Sequence, residues 1–420
     1  MKISVFGLGF VGLTTALGFS RKGYTVYGIE KDERKMVAIK NGKMPFMESG
    51  LDKALNAYLE KNFYVRSVQE AKEALNDSDC VFFCVGTPCG SSGAADLSHL
   101  KTAIDQAICS FTNDKFHVLV IKSTIPPSTT SEIIVPYVRE KAKDNRSIGI
   151  ANNPEFLREG YCWNDFCSPD RIVIGVEDKK SEEILRELYR SFDAPILSVN
   201  YSTAEFIKYL SNSVLATMIS YANEMSIIAD LIGNIDVANA FKILHMDKRW
   251  NNCSMTSYFY PGCGYGGYCL PKDTEALRAI SKAKGFDPLI LSQVIKTNEN
   301  MPAKVAQMIM KKVNKTDKIG ILGLSFKPNS DDVRETPSAK IIEELQKAGY
   351  ENITAYDPVA VDNFMIEYPS IAIEFSRDLC DIVRVSDCLV IVTGWREFKS
   401  IKTSKTIIDC RYCMVDGDGR

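Results

Sequence analysis

Lys2-Ile3-Ser4-Val5-Phe6-Gly7-Leu8-Gly9-Phe10-Val11-Gly12 decides the fold class of this chain. An apolar strand pattern runs straight into G-x-G-x-x-G, and a helical pattern follows at once. In such a turn Gly7 permits the sharp reversal, Gly9 lets the main chain approach a pyrophosphate, and Gly12 lets helix and strand pack closely. The helix opening at Phe10 and Val11 offers unpaired N–H groups to phosphate oxygens. Glu30, about 20 residues on and at the end of the next strand pattern, is placed to accept from ribose hydroxyls. Its charge opposes a 2′-phosphate, so the motif reads as a site for NAD rather than NADP.

Working outward, residues 3–6, 25–29, 80–85 and 117–121 are short runs rich in Val, Ile, Phe and Tyr, separated by helical patterns. That alternation predicts a parallel, doubly wound sheet. The same text recurs later. Ile3-Ser4-Val5-Phe6-Gly7-Leu8-Gly9-Phe10 is echoed by Ile319-Gly320-Ile321-Leu322-Gly323-Leu324-Ser325-Phe326, and Ser78-Asp79-Cys80-Val81-Phe82-Phe83 by Ser386-Asp387-Cys388-Leu389-Val390-Ile391. Between the echoes, residues 203–233 hold no proline and no glycine before Gly233, with apolar residues at helical spacing, which predicts one long helix. Its apolar content exceeds what a surface helix needs, so it is expected between domains or subunits. The fold class is therefore α/β: two Rossmann-like doubly wound parallel-sheet domains joined by a long central helix and a helical middle domain. The boundaries read as 1–200 for the NAD-binding domain, 201–300 for the helical middle domain and 301–420 for the second Rossmann-like domain.

With 51 basic and 53 acidic residues among 420, the net charge of −2 provides no field for nucleic acid or an anionic membrane. No stretch has the length and apolarity of a bilayer span, and the N-terminus reads as a strand rather than a signal peptide. A cytoplasmic location follows as an expectation. The thirteen cysteines are scattered, Cys410 and Cys413 form a lone C-x-x-C, and the three histidines are far apart, a pattern that argues against a zinc site.

Several segments carry chemistry. Thr87 and Thr124 each follow a buried strand, at the carboxyl edge where open parallel sheets bind ligands; they suit either ligand contact or plain turn chemistry. Asn152-Asn153-Pro154-Glu155-Phe156-Leu157-Arg158-Glu159-Gly160 places two carboxylates four residues apart, one turn if helix begins after Pro154; they suit either a charged helix start or a base that activates water. Lys208 and Asn212 share one face of the long helix and can donate to a developing oxyanion. Gly262-Cys263-Gly264-Tyr265-Gly266-Gly267-Tyr268-Cys269-Leu270-Pro271-Lys272-Asp273 ends a glycine-rich approach with a cysteine beside a lysine and an aspartate, the setting of an activated thiol.

Together with Lys122-Ser123-Thr124-Ile125-Pro126, Phe326-Lys327-Pro328 and Asp331-Asp332-Val333-Arg334-Glu335, these motifs resemble the UDP-glucose/GDP-mannose dehydrogenase family across nearly the whole chain. The Gly-Tyr-Cys-Leu-Pro-Lys-Asp form looks more like the members acting on UDP-glucose than those acting on N-acetylated sugars. The resemblance implies a four-electron, NAD-dependent oxidation of a nucleotide-sugar C6 alcohol to the uronic acid, through a thiohemiacetal and a thioester on Cys269. It implies Lys208 and Asn212 as oxyanion stabilisers, Thr124 and Asp273 as water-handling groups, and Glu155 as the base of thioester hydrolysis. Thr87, Thr124, Glu159, Lys272 and Arg334 would join Glu30 and the glycine turn around the cofactor. Phe156, Leu157, Tyr258, Gly266, Phe326 and Lys327 would line the substrate, with Arg249 donated across a dimer or larger homo-oligomer. GDP-mannose, dTDP-glucose and UDP-N-acetyl sugars remain alternative substrates. A two-electron 3-hydroxyacid dehydrogenase shares the Rossmann domain and the Lys-x-x-x-Asn pair, but needs neither the cysteine nor a second Rossmann-like half.

Overall fold

The computed structural model describes residues 1–88, 95–142, 147–247 and 258–414. Two compact units divide the chain, Met1–Leu210 and Ser211–Arg420. The first is built on eight strands: β1 (Lys2–Phe6), β2 (Thr25–Glu30), β3 (Phe63–Ser67), β4 (Cys80–Phe83), β5 (His117–Ile121), β6 (Ile148–Asn152), β7 (Ile172–Val176) and β8 (Ile196–Val199). Their spatial order is β3-β2-β1-β4-β5-β6-β7-β8. All neighbours pair in parallel except β6 and β7, which pair antiparallel, so β7 and β8 extend a doubly wound sheet with two reversed strands. The apolar runs are buried on both faces. Ile3, Val5, Phe82 and Val120 enter one core cluster, while Phe6, Val81, Phe83 and Leu119 enter the other. This two-sided burial is why these strands read as continuous hydrophobic runs instead of alternating ones.

The second unit carries β9 (Ile319–Leu322), β10 (Ile353–Tyr356), β11 (Glu374–Phe375), β12 (Cys388–Ile391) and β13 (Thr406–Asp409) in the order β11-β10-β9-β12-β13, all parallel. The echo seen in the sequence extends to hydrogen bonds. Lys2 N–H donates to Asp79 and Lys318 N–H to Asp387; Gly7 N–H donates to the Ile29 carbonyl and Gly323 N–H to that of Tyr356. The long helix runs Tyr201–Ile232, about 48 Å at the usual rise. It ends where Gly233 takes a φ of 79°, a left-handed position that suits glycine.

One local expectation is corrected. Residues 153–158 form a loop and no helical turn follows Pro154; the next helix is Cys162–Cys167. The Glu155 carboxylate accepts from the Leu157 N–H at 2.6 Å, which closes a tight side-chain turn in place of a helical one. Glu155 and Glu159 therefore do not share a helix face.

Candidate active site

The glycine turn divides its labour among its three glycines. Gly7 has a φ of 82°, and a Cβ there would stand 2.9 Å from the Cys84 carbonyl oxygen. A Cβ on Gly12 would stand 1.7 Å from the Gly7 carbonyl oxygen, so this helix packs onto its own turn only because that atom is missing. A Cβ on Gly9 would meet nothing within 4 Å. Gly9 is the N-cap of the helix Phe10–Arg21, offers no capping side chain, and the first turn holds no acidic residue. Free amides, an open approach and no competing carboxylate fit the pyrophosphate of a dinucleotide. Glu30 is buried at the end of β2, accepting from the Leu8 N–H at 2.8 Å and from Lys31 and Asp32 N–H at 2.8 and 3.0 Å. These amides hold the carboxylate at the edge where a ribose would lie.

Further along the same sheet edge, Thr87 Oγ1 donates to the Thr124 carbonyl at 2.7 Å, joining the loops that follow β4 and β5. The same unit holds a buried ion pair. Lys208 Nζ is 2.7 Å from Glu155 Oε1, with side chains only 6% and 5% exposed. Burial raises the Glu155 carboxyl, but the Lys208 ammonium, the Leu157 amide and the Lys122 charge outweigh it and hold Glu155 below the ordinary carboxylate range. Lys122, quoted in the sequence only as part of a motif, is also buried and donates to Asn153 Oδ1 at 2.9 Å, while Asn153 also receives the Tyr189 hydroxyl at 2.6 Å. Burial pushes the Lys122 ammonium below its usual value. A lysine directly after the apolar strand His117–Ile121 was the available signal. Phe156 carries the Arg171 guanidinium 4.1 Å from its ring centre and Lys208 Nζ at 5.9 Å, whereas Leu157 packs against the main core. Glu159 is half-buried in the loop before Cys162.

The second cluster belongs to the second unit. Cys269 is the first residue of the helix Cys269–Ala283, so its thiol stands at a helix N-terminus, where the backbone favours negative charge. One turn on, the Lys272 ammonium pairs with Asp273 Oδ1, and Asn212 Nδ2 donates to Asp273 Oδ2 at 2.6 Å. Burial would lower Lys272; Asp273, with the Cys269 sulfur contributing, holds the ammonium above its ordinary value. Both oxygens of the buried Asp273 are thus engaged. Lys208 and Asn212 lie one turn apart on the continuous helix.

The density of glycines before Cys269 has a structural cause. A Cβ on Gly266 would stand 2.4 Å from the Glu335 carbonyl oxygen, and one on Gly267 would stand 2.9 Å from the Phe326 ring. Gly267 N–H donates to the Arg334 carbonyl at 2.9 Å. The loop after β9 therefore presses against the cysteine loop, bringing Phe326 and Arg334 to it, while Lys327 Nζ lies 5.4 Å from the Phe326 ring centre. Arg334 is held by Asp332 through bonds of 3.0 and 2.5 Å and lies 4.6 Å from the Tyr268 ring centre. Arg411, which sequence reading missed, approaches from β13: a Cβ on Gly262 would stand 2.6 Å from its Nη1. Tyr258 is half-buried. Arg249 lies outside the described residues. Among the described residues no group of three His, Cys, Asp or Glu side chains is arranged to hold a metal ion, and no helix is long and apolar enough to cross a membrane.

Three family descriptions match consecutive parts of the chain: the NAD binding domain of the UDP-glucose/GDP-mannose dehydrogenase family over residues 1–193, its central domain over 202–300 and its UDP binding domain over 320–416. The chain belongs to the UDP-glucose/GDP-mannose dehydrogenase family. It is an NAD-dependent oxidoreductase of nucleotide sugars. It is 37% identical to a UDP-glucose 6-dehydrogenase of Rickettsia bellii over 96% of this chain and 92% of that one. It is 32% identical to a UDP-glucose 6-dehydrogenase of Haloferax volcanii over 100% and 98%. A solved UDP-glucose dehydrogenase from Pyrobaculum islandicum superposes with a TM-score of 0.91 at 33% identity, covering 98% of this chain and 94% of its own. In order along the chain, these descriptions name an NAD binding domain, a central domain and a UDP binding domain.

Proposed function

We propose that this dehydrogenase oxidises UDP-glucose to UDP-glucuronate in two hydride transfers, with Cys269 as the covalent catalyst. The observation that carries the reading is the thiol at the first position of a helix, followed one turn later by an ammonium–carboxylate pair that also receives Asn212. The relatives named above, all UDP-glucose dehydrogenases, support the choice of sugar. NAD supplies the hydride acceptor for both oxidations. Gly9, the amides at Phe10 and Val11, and Glu30 would hold it.

In the first step the C6 hydroxyl loses its proton to solvent water and C6 loses a hydride, leaving an aldehyde. The Cys269 thiol gives up its proton to water, its sulfur bonds to C6, and Lys208 and Asn212 donate to the resulting alkoxide. Loss of the second hydride from that carbon leaves a thioester. Water attacks the thioester carbon, the C–S bond breaks, the thiol is restored and the carboxylate departs. A covalent intermediate keeps the reactive aldehyde from escaping. Glu155 begins as a poor base because Lys208 holds it ionised. When the Lys208 ammonium turns to an oxyanion, Glu155 loses that counter-charge and becomes more basic, which suits it to take the proton of the attacking water. Thr124 and Asp273 would orient that water.

Cys269→Ala is expected to form no uronate while still binding NAD. NADH absorbance and product chromatography with UDP-glucose, GDP-mannose, dTDP-glucose and a UDP-N-acetyl sugar test both claims. Normal uronate yield from the variant rejects the mechanism, and preference for another sugar rejects the substrate.

A second copy of the chain would cover the far side of the long helix. Phe206, Leu210, Val214, Tyr221, Ile228 and Leu231 are each more than two-fifths exposed. At about 100° per residue they form one stripe opposite Lys208 and Asn212. The expected state is a homodimer or larger homo-oligomer, and Ile228→Glu should shift it toward monomer in sedimentation velocity; unchanged mass for that variant argues against this face.

A further inference from the structure

The loop carrying Thr124 is held at both ends. Near β5, Ser123 Oγ donates to the Phe83 and Val85 carbonyls at 3.1 and 2.7 Å, and Thr87 holds the Thr124 carbonyl. After Pro126-Pro127 the chain passes through Ser128 at a φ of 71°, a left-handed conformation rare for serine, and enters a single π-turn at Thr130–Ile134. Val135 N–H donates to the Thr130 carbonyl. Pro136 gives the reason for the wide turn: it has no N–H for the Glu132 carbonyl, so an ordinary helical ladder is broken there. Such turns recur beside functional sites.

The far end of this strained segment is fastened by the long helix. Glu205 Oε1 accepts the Thr130 N–H at 2.7 Å, and Ser128 Oγ shares a hydrogen bond with Ser202 Oγ at 3.2 Å. Ser202, Glu205 and Lys208 recur every three residues, so the anchor lies one turn from the ammonium that pairs with Glu155. Glu205 is 2% exposed. Among the described charged groups, Glu132 on the π-turn acts on it and opposes its ionisation. Burial, the largest influence, pushes its carboxyl up to about 7.

We propose that Glu205 is a positioning residue for the dehydrogenase reaction: its carboxylate caps the π-turn at Thr130 and so fixes the Thr124 loop against the helix that bears Lys208. This rests on the reading of Thr124 as an active-site residue. An ionised acceptor binds an amide more tightly than a neutral one, so the loop is held best when Glu205 is charged. The sign for the fold is opposite. A carboxyl raised above its ordinary value contributes most to stability in acid, and that contribution is lost as pH rises through about 7. The charged cap is thus kept at a cost to stability, which a purely structural hydrogen bond would not need.

The test measures kcat and KM for NAD and UDP-glucose between about pH 5.5 and 9.5 in the wild-type chain, Glu205→Gln and Thr124→Val. The wild type should show an inflection near 7 in kcat/KM. Glu205→Gln keeps an acceptor but cannot titrate; it should lose the inflection and lower kcat roughly three- to tenfold at about pH 8. Its thermal stability there should equal or exceed the wild type, which separates the effect from misfolding. A flat wild-type profile, an inflection that survives in Glu205→Gln, or wild-type kcat for that variant overturns the proposal. If Thr124→Val is as active as wild type, the assignment of Thr124 fails and takes this inference with it. If Thr124→Val loses activity while Glu205→Gln behaves as wild type, only the role of Glu205 is rejected.

Discussion

The two Rossmann-like halves share a framework and part company at one turn. Both begin with a buried strand, a glycine at positive φ and a leucine whose N–H donates to an acidic residue at or just past the end of the neighbouring strand: Leu8 to Glu30 and Leu324 to Asp357, both at 2.8 Å. In the first half Gly9 then opens onto free space and a helix starts at Phe10. In the second half Ser325 stands at that position and donates through both N–H and Oγ to Asp357, and the helix waits until Pro337–Lys347. Asp357 also receives Trp395 Nε1 at 3.1 Å and the N–H groups of Val359 and Ala360. The second carboxylate is consumed in holding its own turn. The long connection released by the delayed helix instead brings Phe326 and Arg334 to the cysteine loop. One framework therefore opens on a helix N-terminus, and the other on a loop.

That contrast can be broken by substitution. The largest effect is expected from Gly12→Ala. Its new Cβ would meet the Gly7 carbonyl oxygen, and relieving the clash should cost about 3 kcal/mol or more, visible as a lowered denaturation midpoint and lost NAD binding. Next comes Asp357→Asn, which leaves several buried N–H and O–H donors with a poorer acceptor. It should destabilise by roughly 1–3 kcal/mol while the Kd for NAD is unchanged; a weakened Kd would show that the second turn also serves the cofactor. The smallest change in the fold is expected from Gly9→Ala. Its Cβ has room, so the melting temperature should hold while NAD affinity falls roughly tenfold. Equal affinity would mean that the dinucleotide does not pass over Gly9.

Much of this was legible in the residues because it depends on short-range chemistry. G-x-G-x-x-G, the apolar strands, the echo between Ile3 and Ile319 and the long helix all express local preference or simple periodicity, and the chain obeys them. The cysteine loop was conspicuous because its glycines are so dense. Other features were silent. Nothing in Asn153 or Glu205 announces that they are buried, and Arg411 lies far in sequence from the Gly262 it approaches. The helix expected after Pro154 was replaced by a side-chain turn, since an oxygen of Glu155 competes for the amide of Leu157 and a neighbouring ammonium rewards that choice.

Residue order alone specified which elements form, where the glycine turn falls and where glycines crowd before Cys269. Folding in three dimensions settled who pairs with whom: Lys208 with Glu155, Asn212 with Asp273, Glu205 with Thr130. Elements follow from interactions within a few residues, whereas a buried charge acquires its partner and its proton affinity from groups that the chain returns to the same place from dozens of positions away.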